Sequence, residues 1–169
     1  GASKASARQW VKVYRDSYNL YAVQGWLFNH EGDRRGEEVV TRKISKNIAR
    51  IAHSINKGEN FLPLTLGNLE AQRDWSDAAD VIESVWLMLQ QKEPKDYVIS
   101  SGETNSVRKF LDESLKHAGI EFNSEGEGVN EKYYTLDGKL LFEVNPKYYR
   151  PAEVEKLQGD CSKAIKELK

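Results

Sequence analysis

The stretch that decides the fold is YAVQGWLF at 21–28, followed at once by NHEGDRRG at 29–36. The first part is a mostly apolar run rich in strand formers, as expected of a buried strand in a parallel sheet. The second clusters polar, charged and glycine residues at the strand's exit. Over 37–57, Val40, Ile44, Ile48, Ile51, Ala52 and Ile55 then recur at the helical period, and Gly58 closes the segment. Strand, polar exit and long helix is the repeating unit of an α/β fold. In open sheets of that class ligands bind beyond the carboxyl ends of the strands, which makes 29–36 a place to look for a site.

Working outward, Ala7, Trp10, Val11, Tyr14 and Tyr18 predict a helix over 2–18 with Asn19 as its stop. Downstream come a short strand at 61–66, edge-like because of Pro63, and a helix at 76–91 capped by Ser76 or Asp77. A strand at 97–100, a turn at Gly102 and a helix at 106–118 ended by Gly119 follow. Residues 124–130 are acidic and glycine-rich, hence a mobile loop. Segments 133–136 and 139–144 flank Asp137-Gly138, a strong hairpin signal. A helix opening on Pro151 and another from Ser162 complete the pattern. Trp75 and Trp86 read as core residues. No GxGxxG follows any strand, so a Rossmann reading lacks its nucleotide-gripping first half.

The 169 residues are enough for a real core, and 39% hydrophobic with 30% charged residues is an ordinary globular composition. Lys and Arg number 25 against 26 Asp and Glu, a net charge of −1 that argues against a general nucleic-acid or anionic-membrane binder. No apolar run is long enough to span a bilayer. Cys161 alone excludes an intrachain disulfide framework and fits a reducing compartment, so a cytoplasmic location is expected. His53 and His117 have no partner at ligand spacing, and no metal is assigned.

Five constellations carry chemistry. Gly1-Ala2-Ser3-Lys4 looks like the back half of a YxxxK motif, whose spacing puts both side chains on one helix face. The ammonium there lowers the phenol pKa, so the tyrosine can move a proton near neutral pH. That tyrosine would immediately precede Gly1, so the chain is expected to begin at a truncation. Standing alone, Lys4 reads as a solvated surface lysine. Asn29, His30 and Glu31, with Arg34, Arg35 and Gly36, can donate to a cofactor and pair with a phosphate, or form a polar exit loop. Arg42 and Lys43 are either phosphate ligands or a solvated helix face. Leu66-Gly67-Asn68, then Arg73-Asp74, offer close backbone approach, an amide and a guanidinium fork, with Asp74 otherwise pairing a cation or capping a helix. Arg150 and Glu153 can bracket a nucleotide diphosphate and its ribose, although a carboxylate at a helix start needs no function.

The order and wording of these segments resemble the C-terminal half of the GDP-mannose 4,6-dehydratase family, within the extended short-chain dehydrogenase/reductases. The landmarks are Gly1-Ala2-Ser3-Lys4, Leu27-Phe28-Asn29-His30-Glu31, Arg34-Arg35-Gly36, Val40-Thr41-Arg42-Lys43-Ile44, Leu66-Gly67-Asn68-Leu69, Arg73-Asp74-Trp75, Trp86 to Gln90, Ser106-Val107-Arg108, Tyr148 to Val154 and Gly159-Asp160. The resemblance implies an α/β fold: a partial Rossmann-like parallel sheet with helices, lacking its N-terminal half, plus a smaller α/β substrate-binding domain. Residues 1–28 would be the remnant of the NADP-binding part. Residues 29–169 would be mainly the GDP-sugar-binding region, some of its segments packing back on the Rossmann sheet.

The activity implied is an internal redox cycle on GDP-mannose with NADP. Hydride leaves C4 of the hexose, water is eliminated across C5 and C6, and hydride returns to C6, giving GDP-4-keto-6-deoxy-mannose. By the same resemblance Lys4 is the catalytic-motif lysine and, with His30 and Arg35, contacts NADP. Asn29, Arg42, Lys43, Leu66, Gly67, Asn68, Arg73, Arg150 and Glu153 line the GDP-mannose site. The Arg34-Arg35 loop reaches toward a neighbouring subunit, so a homo-oligomer is expected. Gly32-Asp33 stands where the family usually has Ser-Pro, and Ser76-Asp77 and Val81 where it has Gly-His and Tyr. A chain without the tyrosine, the base glutamate and the glycine-rich loop would be inactive alone. The alternatives are a non-catalytic nucleotide-sugar-binding or scaffold lobe, and an extended-family enzyme for another sugar nucleotide.

Overall fold

The protein's structure is a computed structural model that describes residues 1–150 and 152–168. Helix α1 (Ala2–Tyr18) forms as its aromatic spacing predicts and ends on Asn19 in the left-handed conformation, φ 51°. Strand β1 (Gln24–Leu27) is shorter than the 21–28 run, and β2 (Asn29–Glu31) follows directly. Helix α2 (Val40–Lys57) buries Thr41, Ile44, Ile48 and Ile51 and closes on Gly58 with positive φ. Three short strands come next: β3 (Leu64–Leu66), β4 (Gln72–Arg73) and β5 (Trp75–Asp77). Helix α3 (Ala78–Leu89) starts where Asp77 accepts from Ala79 N at 2.7 Å, so Asp77 rather than Ser76 is the cap.

Strands β6 (Asp96–Ile99) and β7 (Asn105–Ser106) lead to α4 (Val107–His117). The first amides of α4 are all taken: Val107 N by Ala71 O, Arg108 N by Leu69 O, and Lys109 N by Ser106 Oγ. Strands β8 (Phe122–Glu125), β9 (Lys132–Thr135) and β10 (Leu140–Val144) then form an antiparallel meander, followed by β11 (Lys156–Leu157) and α5 (Ser162–Glu167).

The chain divides into two units. Unit 1 holds Gly1–Gly32, Asp74–Glu103 and Gln158–Lys169. In it β1 pairs parallel with β6, and β2 parallel with β5. Its core is Val81, Met88, Tyr97, Ile99, Ala164 and Leu168. Unit 2 holds Asp33–Arg73 and Thr104–Leu157. It contains a four-stranded sheet, β3-β10-β9-β8, in which only the β3–β10 pair is parallel, and a three-stranded sheet, β11-β4-β7. Its core is built from the apolar face of α2, from Val107, Leu111 and Leu115 of α4, and from Tyr133, Leu141, Phe142 and Val144.

Several sequence expectations are corrected. The 21–28 run is not a fully buried strand: Trp26 and Leu27 are exposed, because β1 has only β6 beside it among the described residues. The apolar face of α1 is exposed too, with Trp10 at 62% and Tyr18 at 69%. Trp86 is 58% exposed rather than core. The 124–130 segment is not simply a loop, since Ser124 and Glu125 extend β8 against β9. Pro151 lies outside the described residues, and Ala152–Leu157 is not helical but ends in β11. The short strands β4, β5, β7 and β11 went unread because two or three residues are too few to carry a period.

Candidate functional site

The two units each carry a set of the candidate residues. In unit 1, Phe28 and Asn29 lie just beyond the carboxyl end of β1. His30 sits on β2 with Nδ1 2.9 Å from Phe28 O. A carbonyl oxygen only accepts, so Nδ1 carries the hydrogen and the neutral ring presents Nε2 as an acceptor. The donor expected of this ring is therefore already committed to the backbone. Lys4 is exposed in the first turn of α1, and four residues on the Arg8 guanidinium stacks over the Trp26 ring at 4.6 Å.

Asp74 proves to be the organising residue of this unit. It is 0% exposed and accepts from Ser101 N at 2.8 Å, Ser101 Oγ at 2.7 Å, Gly102 N at 3.0 Å and Gly159 N at 3.2 Å. Burial pushes its carboxyl up, but those four donors together outweigh it and hold it below the usual carboxylate range. Among the described residues it neither pairs a cation nor caps a helix; it ties the loop after β6 to the segment before α5. Sequence could not reveal this, because three of its donors are backbone amides that any residue would supply.

In unit 2 the parallel strands β3 and β10 end at the same side, so Gly67-Asn68 and Asn145 to Tyr148 leave together. Asn145 N donates to Leu66 O at 2.8 Å. The Leu66 side chain is 4% exposed, so it has only backbone to offer a ligand. A Cβ at position 67 would overlap the Tyr148 carbonyl oxygen, and only glycine lets the two backbones approach so closely. Asn68 Oδ1 accepts from Glu70 N at 2.9 Å, a local turn that leaves its NH2 group as a donor.

Lys43 reaches this strand end from α2. Its Nζ donates to Thr65 O at 2.7 Å and lies 4.0 Å from the centroid of the Tyr148 ring. Arg42, one residue earlier and about 100° around the helix, lies instead along Ser45, Lys46, Ala49 and Arg50. The adjacent cations thus serve different faces. Arg73 and Glu153 meet each other: Nη2 donates to Glu153 Oε1 at 2.9 Å, while Nη1 donates to Val154 O at 2.7 Å. The fork therefore clamps the 153–154 segment. Arg35 is half-buried, and Arg34 and Arg150 are exposed.

Sequence reasoning quoted Tyr148 within a motif but gave it no role. The signal was its position beside Arg150, and its partner Lys43 lies too far along the chain for any spacing rule to find. Among the described residues, no group of His, Cys, Asp and Glu could hold a metal ion, and no helix is long and apolar enough to cross a membrane.

Residues 1–169 match the family model described as GDP-mannose 4,6 dehydratase. The chain is 49% identical over 169 residues to the GDP-mannose 4,6 dehydratase of Cricetulus griseus, covering 99% of this chain and 44% of that protein. To the Homo sapiens protein it is 48% identical, again over 169 residues, covering 99% and 44%. The chain thus spans less than half the length of these curated relatives. Among solved structures, RMD from Pseudomonas aeruginosa complexed with NADPH matches with a TM-score of 0.76 at 17% identity, over 98% of this chain and 47% of that one. The Thermus thermophilus UDP-glucose 4-epimerase complex with NAD matches with a TM-score of 0.64 at 26% identity, over 98% and 46%. The shared α/β fold follows from these likenesses.

Proposed function

We propose that this chain, which belongs to the GDP-mannose 4,6-dehydratase family, supplies most of the nucleotide-sugar site of an NADP-dependent enzyme converting GDP-mannose to GDP-4-keto-6-deoxy-mannose. The observation that carries the reading is the convergence of Lys43, Gly67, Asn68 and Tyr148 at the common end of β3 and β10. A cation, an amide donor and a close backbone approach are what a nucleoside diphosphate needs. Exposed Arg150 adds a second cation from the segment that follows Tyr148, and the Arg73–Glu153 pair holds that segment in place. Arg42, on another face of α2, is not part of this convergence.

Residues 1–28 serve the NADP side, and 29–169 mainly the GDP-sugar side. His30 and Lys4 offer the cofactor complementary chemistry: His30 has its ring locked through Nδ1 with Nε2 left to accept from a ligand hydroxyl, and Lys4 has an exposed ammonium donor. Arg35 would pair with a phosphate of NADP. Bound NADP supplies the acceptor and later the donor of one hydride. Lys4 would orient the nicotinamide ribose and favour the ionised form of the family's tyrosine, which is not among these 169 residues. The Arg34-Arg35 loop would reach a second subunit of a cytoplasmic homo-oligomer.

The test is full-length protein incubated with GDP-mannose and NADP. Mass spectrometry should find the nucleotide sugar lighter by one water. Lys43→Met should raise KM at least about tenfold, as expected for loss of a charge-assisted contact. Intact GDP-mannose after incubation with NADP-loaded protein would refute the reading, and turnover of UDP- or dTDP-sugars instead would reassign the substrate.

A further inference from the structure

Tyr148 is 45% exposed, so it is not a core residue, yet its backbone is tightly fixed. Asn145 Oδ1 accepts from Lys147 N at 3.0 Å, Tyr148 N donates to Asn145 O at 3.0 Å, and Tyr149 N donates to Pro146 O at 3.0 Å. On the other side the Tyr148 carbonyl rests against Gly67, where no side chain would fit. A large ring held this firmly and left half open needs a reason other than packing.

The reason lies over its face. The Lys43 ammonium sits 4.0 Å from the ring centroid and donates to Thr65 O at 2.7 Å. Among the described residues, no carboxylate lies within ion-pair distance of Lys43. An ammonium has three N–H groups. The carbonyl takes one, the negative face of the ring attracts the charge from a second side, and one direction is left for an acceptor from outside. A lysine is otherwise a flexible point charge that loses much rotamer freedom when it binds an anion. Two neutral partners fix it in advance without neutralising it, as a carboxylate would.

We propose that Tyr148 is a positioning residue for nucleotide-sugar binding: its ring and the Thr65 carbonyl hold the Lys43 ammonium from two sides and aim its remaining N–H at an oxygen of the bound nucleoside diphosphate. The inference rests on reading this strand end as the GDP-sugar site. It assigns Tyr148 an effect on affinity that acts only through Lys43.

The experiment is a double-mutant cycle in the full-length protein, read as calorimetric Kd for GDP and as KM and kcat for GDP-mannose. Tyr148→Leu should weaken GDP binding about fivefold to tenfold, the range of a half-exposed cation–π contact, raising KM while kcat stays within about twofold. Tyr148→Phe keeps the ring face and should bind like the wild type. In a Lys43→Met background, Tyr148→Leu should cost nothing further, because the partner it acts through is gone. Tyr148→Gln provides a second ring-removing variant if the leucine form folds poorly. Equal losses for Phe and Leu, or an undiminished loss in the Lys43→Met background, would overturn the proposal while leaving the site reading intact. A wild-type protein that binds no nucleoside diphosphate would overturn both. If the wild type prefers UDP or dTDP, the reading of the base is wrong, and the same cycle run with that nucleotide still judges Tyr148.

Discussion

Unit 2 turns the apolar faces of its helices and its central strands inward, while unit 1 leaves most of the large apolar side chains of its first helix in the open. In unit 2, Ile44, Leu111, Leu115, Leu141 and Phe142 are all at 0% exposure. In unit 1 a core of Val81, Met88, Tyr97, Ile99, Ala164 and Leu168 is surrounded by exposed Trp10, Tyr14, Tyr18, Trp26, Ile82, Trp86 and Leu89. Helices in both units showed apolar residues recurring at the helical period. The lesson is that helical periodicity establishes that a helix has an apolar face, and only the surrounding fold decides whether that face is buried. The two units should therefore differ in how much apolar packing holds them together, although unit 2 also carries a polar anchor of its own in the Arg108–Glu131 ion pair.

The largest test of that contrast is Phe142→Ala. A fully buried phenylalanine truncated in a dense core costs about 4 kcal/mol. All four tryptophans (Trp10, Trp26, Trp75 and Trp86) lie in unit 1, so fluorescence follows that unit, while hydrogen exchange at the β9 and β10 amides follows unit 2. Urea unfolding should show the exchange-protected amides of unit 2 strongly weakened and the tryptophan transition moved less. Equal shifts in both probes would break the comparison.

Next in size is the polar anchor of unit 1. Asp74→Asn places NH2 hydrogens against amide donors and should cost on the order of 3 kcal/mol at pH 7. Because the folded-state pKa of Asp74 is depressed, its contribution is fully present above the ordinary carboxylate range and is lost as pH falls through the folded value. Asp112 in unit 2 behaves oppositely. Burial pushes its carboxyl up, so ionising it costs stability as pH rises through the ordinary range, and acid relieves that penalty. Thermal melts from about pH 3 to pH 7 should give Asp74→Asn a flatter pH profile than wild type and Asp112→Asn a steeper one. The same slope change in both variants would show that the two carboxylates do not differ in this way.

The smallest expected effect sharpens rather than breaks the comparison. Asp77 caps α3 in unit 1, and Ser106 caps α4 in unit 2, accepting from Lys109 N at 3.1 Å. Replacing either with alanine should cost about 1 kcal/mol. Each loss should register in its own unit's probe, and cross-registration would mean that the units unfold as one.

How legible the protein was in its sequence follows the range of the interaction involved. The long helices, the Asp137-Gly138 hairpin and the glycine stops at Gly58 and Gly119 depend on neighbours within a few residues, and they appear where periodicity and turn chemistry placed them. The family was legible for a related reason, since its landmarks are short runs kept in order along the chain. The β2–β5 pairing, the three-stranded sheet and the fate of Asp74 were not legible, because each joins positions far apart through backbone groups that no side chain announces. The helical step parts Arg42 from Lys43, but the meeting of Lys43 with Tyr148 was decided only when α2 packed beside β3. The sequence by itself thus determined which residues could bind an anion. The tertiary structure alone decided which of them share a surface, since the direction of a side chain is set by packing rather than by its own spacing.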